Sequence, residues 1–125
     1  VSDEQLRDPA IRIVLLPKDT NANGTIFGGI ILSHIDLAGA VQAKKHTKQR
    51  IVTVAMKEVI FKQPVLVGEV VSFYTSTSKI GNTSVTVSVD VEVYRDGKEI
   101  KVTEAELTFV AVDKEGQPVP LSGAS

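Results

Sequence analysis

From Thr25 to Ala43, a run of 19 residues, only His34 and Asp36 can titrate, and nearly everything else is apolar or small. A helix of that composition is not a surface helix; it demands burial around most of its circumference. One element cannot bury itself, so the rest of the chain has to wrap it. A polar, glycine-punctuated loop, Asp19-Thr20-Asn21-Ala22-Asn23-Gly24, leads in, and Lys44-Lys45-His46 sets cations against the expected helix C-terminus. The helix is therefore expected from about Gly29 to His46. Asp36 falls near its middle, where a carboxylate is costly unless it is hydrogen-bonded or put to use.

The wrapping material is β-structure. Arg12 to Leu16 reads as a short strand stopped by Pro17, and Ile51 to Phe61 as a β-branched run reaching Pro64. Val70 to Ser78 follows. Then Val85, Val87, Val89, Val91 and Val93 alternate with Thr86, Ser88, Asp90, Glu92 and Tyr94, the period of a long, half-buried antiparallel strand. Asp96-Gly97 is a hairpin signal. Its partner strand, Ile100 to Val112, slips phase between Val102 and Leu107, which suggests a bulge or a change of buried face. The expected architecture is α+β: one long helix wrapped by a curved antiparallel sheet of five to six strands. Sheet edges left open would invite pairing with a second copy. By length, 1–125 is one domain, with a polar leader at 1–10 and a C-terminal tail at 114–125.

Several function classes drop out. The net charge of −1 implies no general attraction to nucleic acid or anionic membrane. The absence of cysteine removes disulfides, thiolate catalysis and Cys-ligated zinc, and fits a reducing, cytoplasmic setting. The acidic start has no basic region followed by an apolar run, so no secretory signal is expected. His34 and Asp36 in mid-helix argue against a membrane span. His34 and His46 are twelve residues apart and share no helix face, which leaves no metal site. Ser33, His34 and Asp36 crowd one helix facing different ways, a poor triad. The Gly24–Gly29 loop has neither the Lys-Ser/Thr of a P-loop nor GxGxxG spacing.

What remains is the loop, the helix start and Asp36. Gly28-Gly29 at a helix N-terminus exposes backbone N–H groups backed by the helix dipole, a setting suited to an oxyanion. Asp36 can serve as a base toward water or as a nucleophile. The same residues also admit plain readings: glycines for a tight turn and close packing, and an Asp satisfied by a neighbouring hydroxyl. Gly29 and Asp36 are seven residues, about 10.5 Å, apart along a helix axis. An attacking water has to lie within roughly 3–3.5 Å of the carbonyl carbon. One copy's Asp36 is therefore poorly placed to serve its own helix start, and a site shared across a dimer of antiparallel helices is expected.

The stretch Pro17 to Gly29, with Asp36 beyond it, resembles the hot-dog acyl-CoA thioester hydrolases of the short bacterial YciA type. Val52-Thr53-Val54-Ala55 is similar to that family's second strand, and Phe61 to Glu69 to its F-x-x-P-x-x-x-G-[DE] segment. Gly81-Asn82-Thr83-Ser84 and Phe109 to Asp113 match a turn and the last strand, so the likeness covers roughly 11–120. The resemblance implies a hot-dog fold that hydrolyses acyl-CoA to free acid and CoA, in fatty acid metabolism, without metal or prosthetic group. It implies dimers that associate further into hexamers, as trimers of dimers. It assigns catalysis to Asp36, with Asn21 from the facing subunit and the Gly28-Gly29 N–H groups on the thioester carbonyl. It places Asn23, Phe27, Thr53, Lys57, Lys62, Lys79, Thr83 and Ser84 in the substrate-binding set, with the lysines and Arg50 as candidates for the CoA phosphates. The chain departs from the family pattern at Thr25 and His34, which leaves the catalytic pair untouched.

Two further functions compete. A catalytically silent hot-dog module would bind acyl-CoA as a sensor, but such a module usually brings a second domain or a basic reading surface, and neither is visible. Hydration or dehydration of enoyl thioesters needs a His beside the acid, and His34 would point about 200° away from Asp36 around the helix.

Overall fold

The computed structural model describes residues 7–122. Strand β1 (Ile11–Val14) is followed by a 3-10 turn (Pro17–Asp19), helix α1 (Gly28–Ala43) and a second 3-10 turn (Lys44–His46). Four strands complete the chain: β2 (Arg50–Phe61), β3 (Val70–Ile80), β4 (Ser84–Arg95) and β5 (Lys98–Val112). They form a single antiparallel sheet in the order β1-β3-β4-β5-β2, curled around α1. The helix is shorter than expected at its C-terminal end, because Lys44-Lys45-His46 tighten into a 3-10 turn.

The five alternating valines of β4 are all fully buried and form the floor under the helix. Phe73 of β3 and Leu107 and Phe109 of β5 complete that floor. Gly39 rests on it directly: a Cβ there would lie 3.1 Å from the Phe109 ring. The Asp96-Gly97 turn has both central residues at positive φ, +53° and +80°, the geometry that matches the twist of two strands. The phase slip in β5 is a bulge: the β4–β5 register shifts between Val91 and Glu92, so that Val102 and Thr103 are both buried.

The burial of α1 differs from expectation. Ile31, Ile35, Ala38, Gly39 and Ala43 face the sheet, but Leu37 and Val41 on the far side are 57% and 48% exposed. One sheet covers one face of a helix, and among the described residues Leu37 and Val41 on the other face stay uncovered. The exposed side is continuous in character with β2, an edge strand that pairs only with β5 and carries exposed Val52, Val54, Ile60 and Phe61. A strand with one open edge and apolar side chains is a surface that ordinarily acquires a partner.

Residues 1–6 of the leader lie outside the described residues, and Arg7 forms a bidentate pair with Glu92 while stacking 3.9 Å from the Tyr74 ring centroid. The segment read as a tail is docked as far as Ser122. Val119 and Leu121 donate to the carbonyls of Ala111 and Asn82, and Ser122 accepts from Lys48. No helix among the described residues is long and apolar enough to cross a membrane.

Candidate active site

The loop before α1 is folded by its own side chains. Asn21 Oδ1 accepts the N–H groups of Asn23 (2.9 Å) and Thr25 (3.2 Å), and its Nδ2 donates to Thr25 Oγ1 (2.9 Å). Gly24, at φ +80°, closes the turn by donating to the Asn21 carbonyl. The Asp19 carboxylate accepts the Leu16 N–H, which with Lys18 beside it holds that group below the usual carboxylate range. The Asp19 carbonyl in turn accepts the N–H of Phe27, and Val65 accepts that of Ile26. The chain therefore arrives at Gly28 with its direction set on both sides.

Phe27 caps α1 in extended geometry without a side-chain hydrogen bond. The opening N–H groups of any helix have no intrahelical acceptor, and here those are Gly28 and Gly29; the Ile30 N–H turns back to the Phe27 carbonyl. Two aromatic rings flank them. A Cβ on Gly29 would lie 2.6 Å from Phe27 Cε2, and one on Gly28 would lie 3.5 Å from Phe61 Cζ. A side chain on Gly29 would have to displace the Phe27 ring, which lies over it. Phe27 and Phe61 are both about half exposed, so the two rings form an apolar notch beside the amides, with Gly28 half-buried and Gly29 exposed. A cavity of about 310 Å³ adjoins Gly28.

Asp36 lies two turns further along, half-buried. Its Oδ1 accepts a 2.7 Å hydrogen bond from Thr53 Oγ1 on β2. Thr53 occupies the last regular position before a register shift in the β2–β5 ladder, between Thr53 and Ala55. A second irregularity, between Lys57 and Ile60, puts Glu58 at φ +56°. The first irregularity sits where the hydroxyl meets the carboxylate. Thr53 was expected among substrate contacts; within this chain its hydroxyl holds the acid.

The other expected residues divide into groups. Asn21 and Asn23 are engaged in the loop and make no contact with Asp36 in this chain. Lys57 and Lys62 pair with Glu106 (3.8 Å) and Glu104 (3.3 Å). Lys79, Thr83 and Ser84 lie where β3 turns into β4, beside Arg50 and the end of β5, toward the C-terminal end of α1. They are not gathered around Gly28. Arg50 donates to the carbonyls of Asp113 and Lys114. His34 Nδ1 lies 2.9 Å from the Ile30 carbonyl, and His46 Nε2 lies 2.8 Å from Thr77 Oγ1, so the histidines have separate structural contacts.

Two residues that sequence reasoning passed over matter to the site. Phe61 walls the amide notch, and Arg95 holds the loop that follows it. Arg95 grips the Glu69 carboxylate through two 2.6 Å hydrogen bonds and also donates to Gln63 Oε1 and the Pro64 carbonyl. Arg95 draws the Glu69 carboxyl below its usual range, and Glu69 also accepts the Leu66 N–H. The Pro64, Gly68 and Glu69 positions of the Phe61–Glu69 segment thus have a physical basis in one clamped loop, with Gly68 at φ +87°.

The thioesterase superfamily profile matches residues 23–100. The acyl-CoA thioester hydrolase YciA of Salmonella typhimurium is 42% identical over 116 residues, spanning 89% of this chain and 87% of its own. A hexameric hotdog fold thioesterase of Campylobacter jejuni superposes with a TM-score of 0.85 at 44% identity, over 91% of this chain and 90% of that one. A hexameric thioesterase from Yersinia pestis gives 0.88 at 41% identity, over 94% and 97% of the two chains.

Proposed function

This chain belongs to the thioesterase superfamily and has its hot-dog fold, and we propose that it is an acyl-CoA thioester hydrolase releasing free acid and CoA. The observation that carries the reading is one helix bearing uncapped Gly28 and Gly29 amides at its start and a Thr53-anchored Asp36 two turns later. That observation occurs in a chain closely similar to named acyl-CoA thioester hydrolases.

In the proposed mechanism the thioester carbonyl oxygen lies at the Gly28-Gly29 amides. Water attacks the carbonyl carbon as Asp36 takes its proton, and negative charge collects on the oxygen facing the helix N-terminus. The tetrahedral intermediate collapses, the C–S bond breaks, and the CoA sulfur leaves with the proton that Asp36 holds. Attack by the Asp36 carboxylate itself, through a mixed anhydride that water then opens, uses the same oxyanion position. No cofactor takes part; CoA is substrate and product.

The site is shared between two subunits. Asp36 and Gly29 of one chain are about 10.5 Å apart along the axis, too far for one carbonyl. The uncovered Leu37–Val41 face of α1 and the open edge of β2 supply the surface on which a second copy brings its own Asp36 to these amides. Asn21 joins from the facing loop. Relatives solved as hexamers support further assembly of such dimers. A non-catalytic acyl-CoA-binding module would have no use for an anchored acid beside uncapped amides.

Complementation tests both halves together. Asp36→Ala removes the acid, and Gly28→Pro removes one amide at a position that tolerates proline. Each variant alone should lose thioester hydrolysis by about three orders of magnitude. A mixed dimer keeps one intact site of two, so a 1:1 mixture re-equilibrated at random should recover close to a quarter of wild-type activity. Normal turnover by Asp36→Ala refutes the mechanism, and inactive mixed dimers refute the sharing.

A further inference from the structure

We propose that the cavity beside Gly28 is the acyl pocket, and that Phe61 and Thr103 set the length of chain it accepts. The inference rests on the thioesterase reading above and adds to it the class of acyl group.

A thioester carbonyl held at Gly28 has two substituents to place. The sulfur side carries a charged nucleotide, which has to leave toward water; the acyl side is hydrocarbon and gains by burial. The cavity beside Gly28 offers that side a place. The cavity there runs between the start of α1 and the ends of β2 and β5, and its walls are Ile26, Ile31, Phe61, Pro64, Val65 and Thr103. Its two long polar neighbours are drawn elsewhere, Lys62 to Glu104 (3.3 Å) and Gln63 to Arg95 (3.0 Å). The lining is therefore mainly apolar, with the Thr103 side chain, itself 1% exposed, among its polar groups.

Size limits the occupant. The volume is about 310 Å³, roughly twice the ~150 Å³ that admits six-carbon benzene. That is room to bury an unbranched chain of roughly ten carbons, and the rest of a palmitoyl group would run out through the open side. Thr103 reaches the cavity because the bulge at Val102 turns two successive β5 residues inward. Phe61 forms the outer wall and is 53% exposed, so it can be changed without disturbing the core.

The test is kcat/KM over a saturated acyl-CoA series from acetyl to palmitoyl, for wild type, Thr103→Leu and Phe61→Ala. In the wild type kcat/KM should rise at least tenfold from acetyl to octanoyl and stop rising before palmitoyl. Thr103→Leu fills the cavity, and the octanoyl-to-acetyl ratio should fall at least tenfold. Phe61→Ala removes the wall and should lower the same ratio, whether or not Thr103→Leu folds. Equal losses on every chain length, with the ratio held within twofold, would show that the cavity houses the pantetheine arm common to all substrates and would overturn the proposal. A wild type inert toward the whole series would instead refute the thioesterase reading itself.

Discussion

Thr53→Val replaces one hydroxyl by a methyl of nearly the same shape and removes the 2.7 Å hydrogen bond to Asp36 Oδ1. A short bond to a carboxylate contributes about 1.5–3 kcal/mol when buried. Asp36 is only half-buried, so solvent repays much of the loss and the stability cost should be about 1 kcal/mol. The catalytic cost is larger. Freed from Thr53, the carboxylate can turn away from the line of attack, and a displacement of about 1 Å costs up to roughly 100-fold in rate. We expect kcat to fall about 10- to 100-fold with KM within about threefold, because the bond orients the acid and does not bind substrate. Thr53→Ser keeps the hydroxyl and should recover most of the rate. The assay is CoA release under saturating and limiting acyl-CoA, with the unfolding midpoint measured in parallel. Thr53→Val turning over within twofold of wild type, or Thr53→Ser as impaired as Thr53→Val, would refute the anchoring role.

Three other outcomes follow from the same geometry. Leu37→Asp puts a charge on the uncovered face of α1 and should give monomers in analytical ultracentrifugation together with lost hydrolysis; an unchanged oligomer refutes that face as the interface. Gly39→Ala places a methyl 3.1 Å from the buried Phe109 ring and should cost about 1–2 kcal/mol in denaturant unfolding, overpacking exceeding the helix-propensity gain. Glu69 has its carboxyl held below the usual range by Arg95, so its contribution is full above the unfolded value and disappears as pH falls through the lower folded one. Glu69→Gln should cost about 1.5–3 kcal/mol at neutral pH, and the difference from wild type should shrink on acidification; a constant gap refutes the assignment.

Much of the fold was legible because its determinants are local. The alternation of Val85 to Val93 required a half-buried strand, and all five valines are fully buried. Asp96-Gly97 demanded positive φ at two successive residues and has it. The phase slip after Val102 signalled a bulge, and a register shift lies there. The composition of α1 demanded burial, yet could not say what would provide it. Half of that cover is the sheet; for the other half the described residues supply none, and the exposed Leu37 and Val41 are what is left of that demand.

The site divides along the same line. The placing of Gly28, Gly29 and Asp36 could be read in sequence because all three lie on one helix, where spacing fixes distance. The Thr53–Asp36 bond, the Phe61 wall, the Arg95–Glu69 clamp and the inward turn of Thr103 could not. Each joins residues whose separation in sequence says nothing of their separation in space, through bulges in β2 and β5 that depend on how strands pack against the helix. The sequence by itself determined a greasy helix, a wrapping sheet and a lone carboxylate in mid-helix. Only the tertiary structure decided which hydroxyl holds that acid and which cavity adjoins the amides, because those are matters of long-range register.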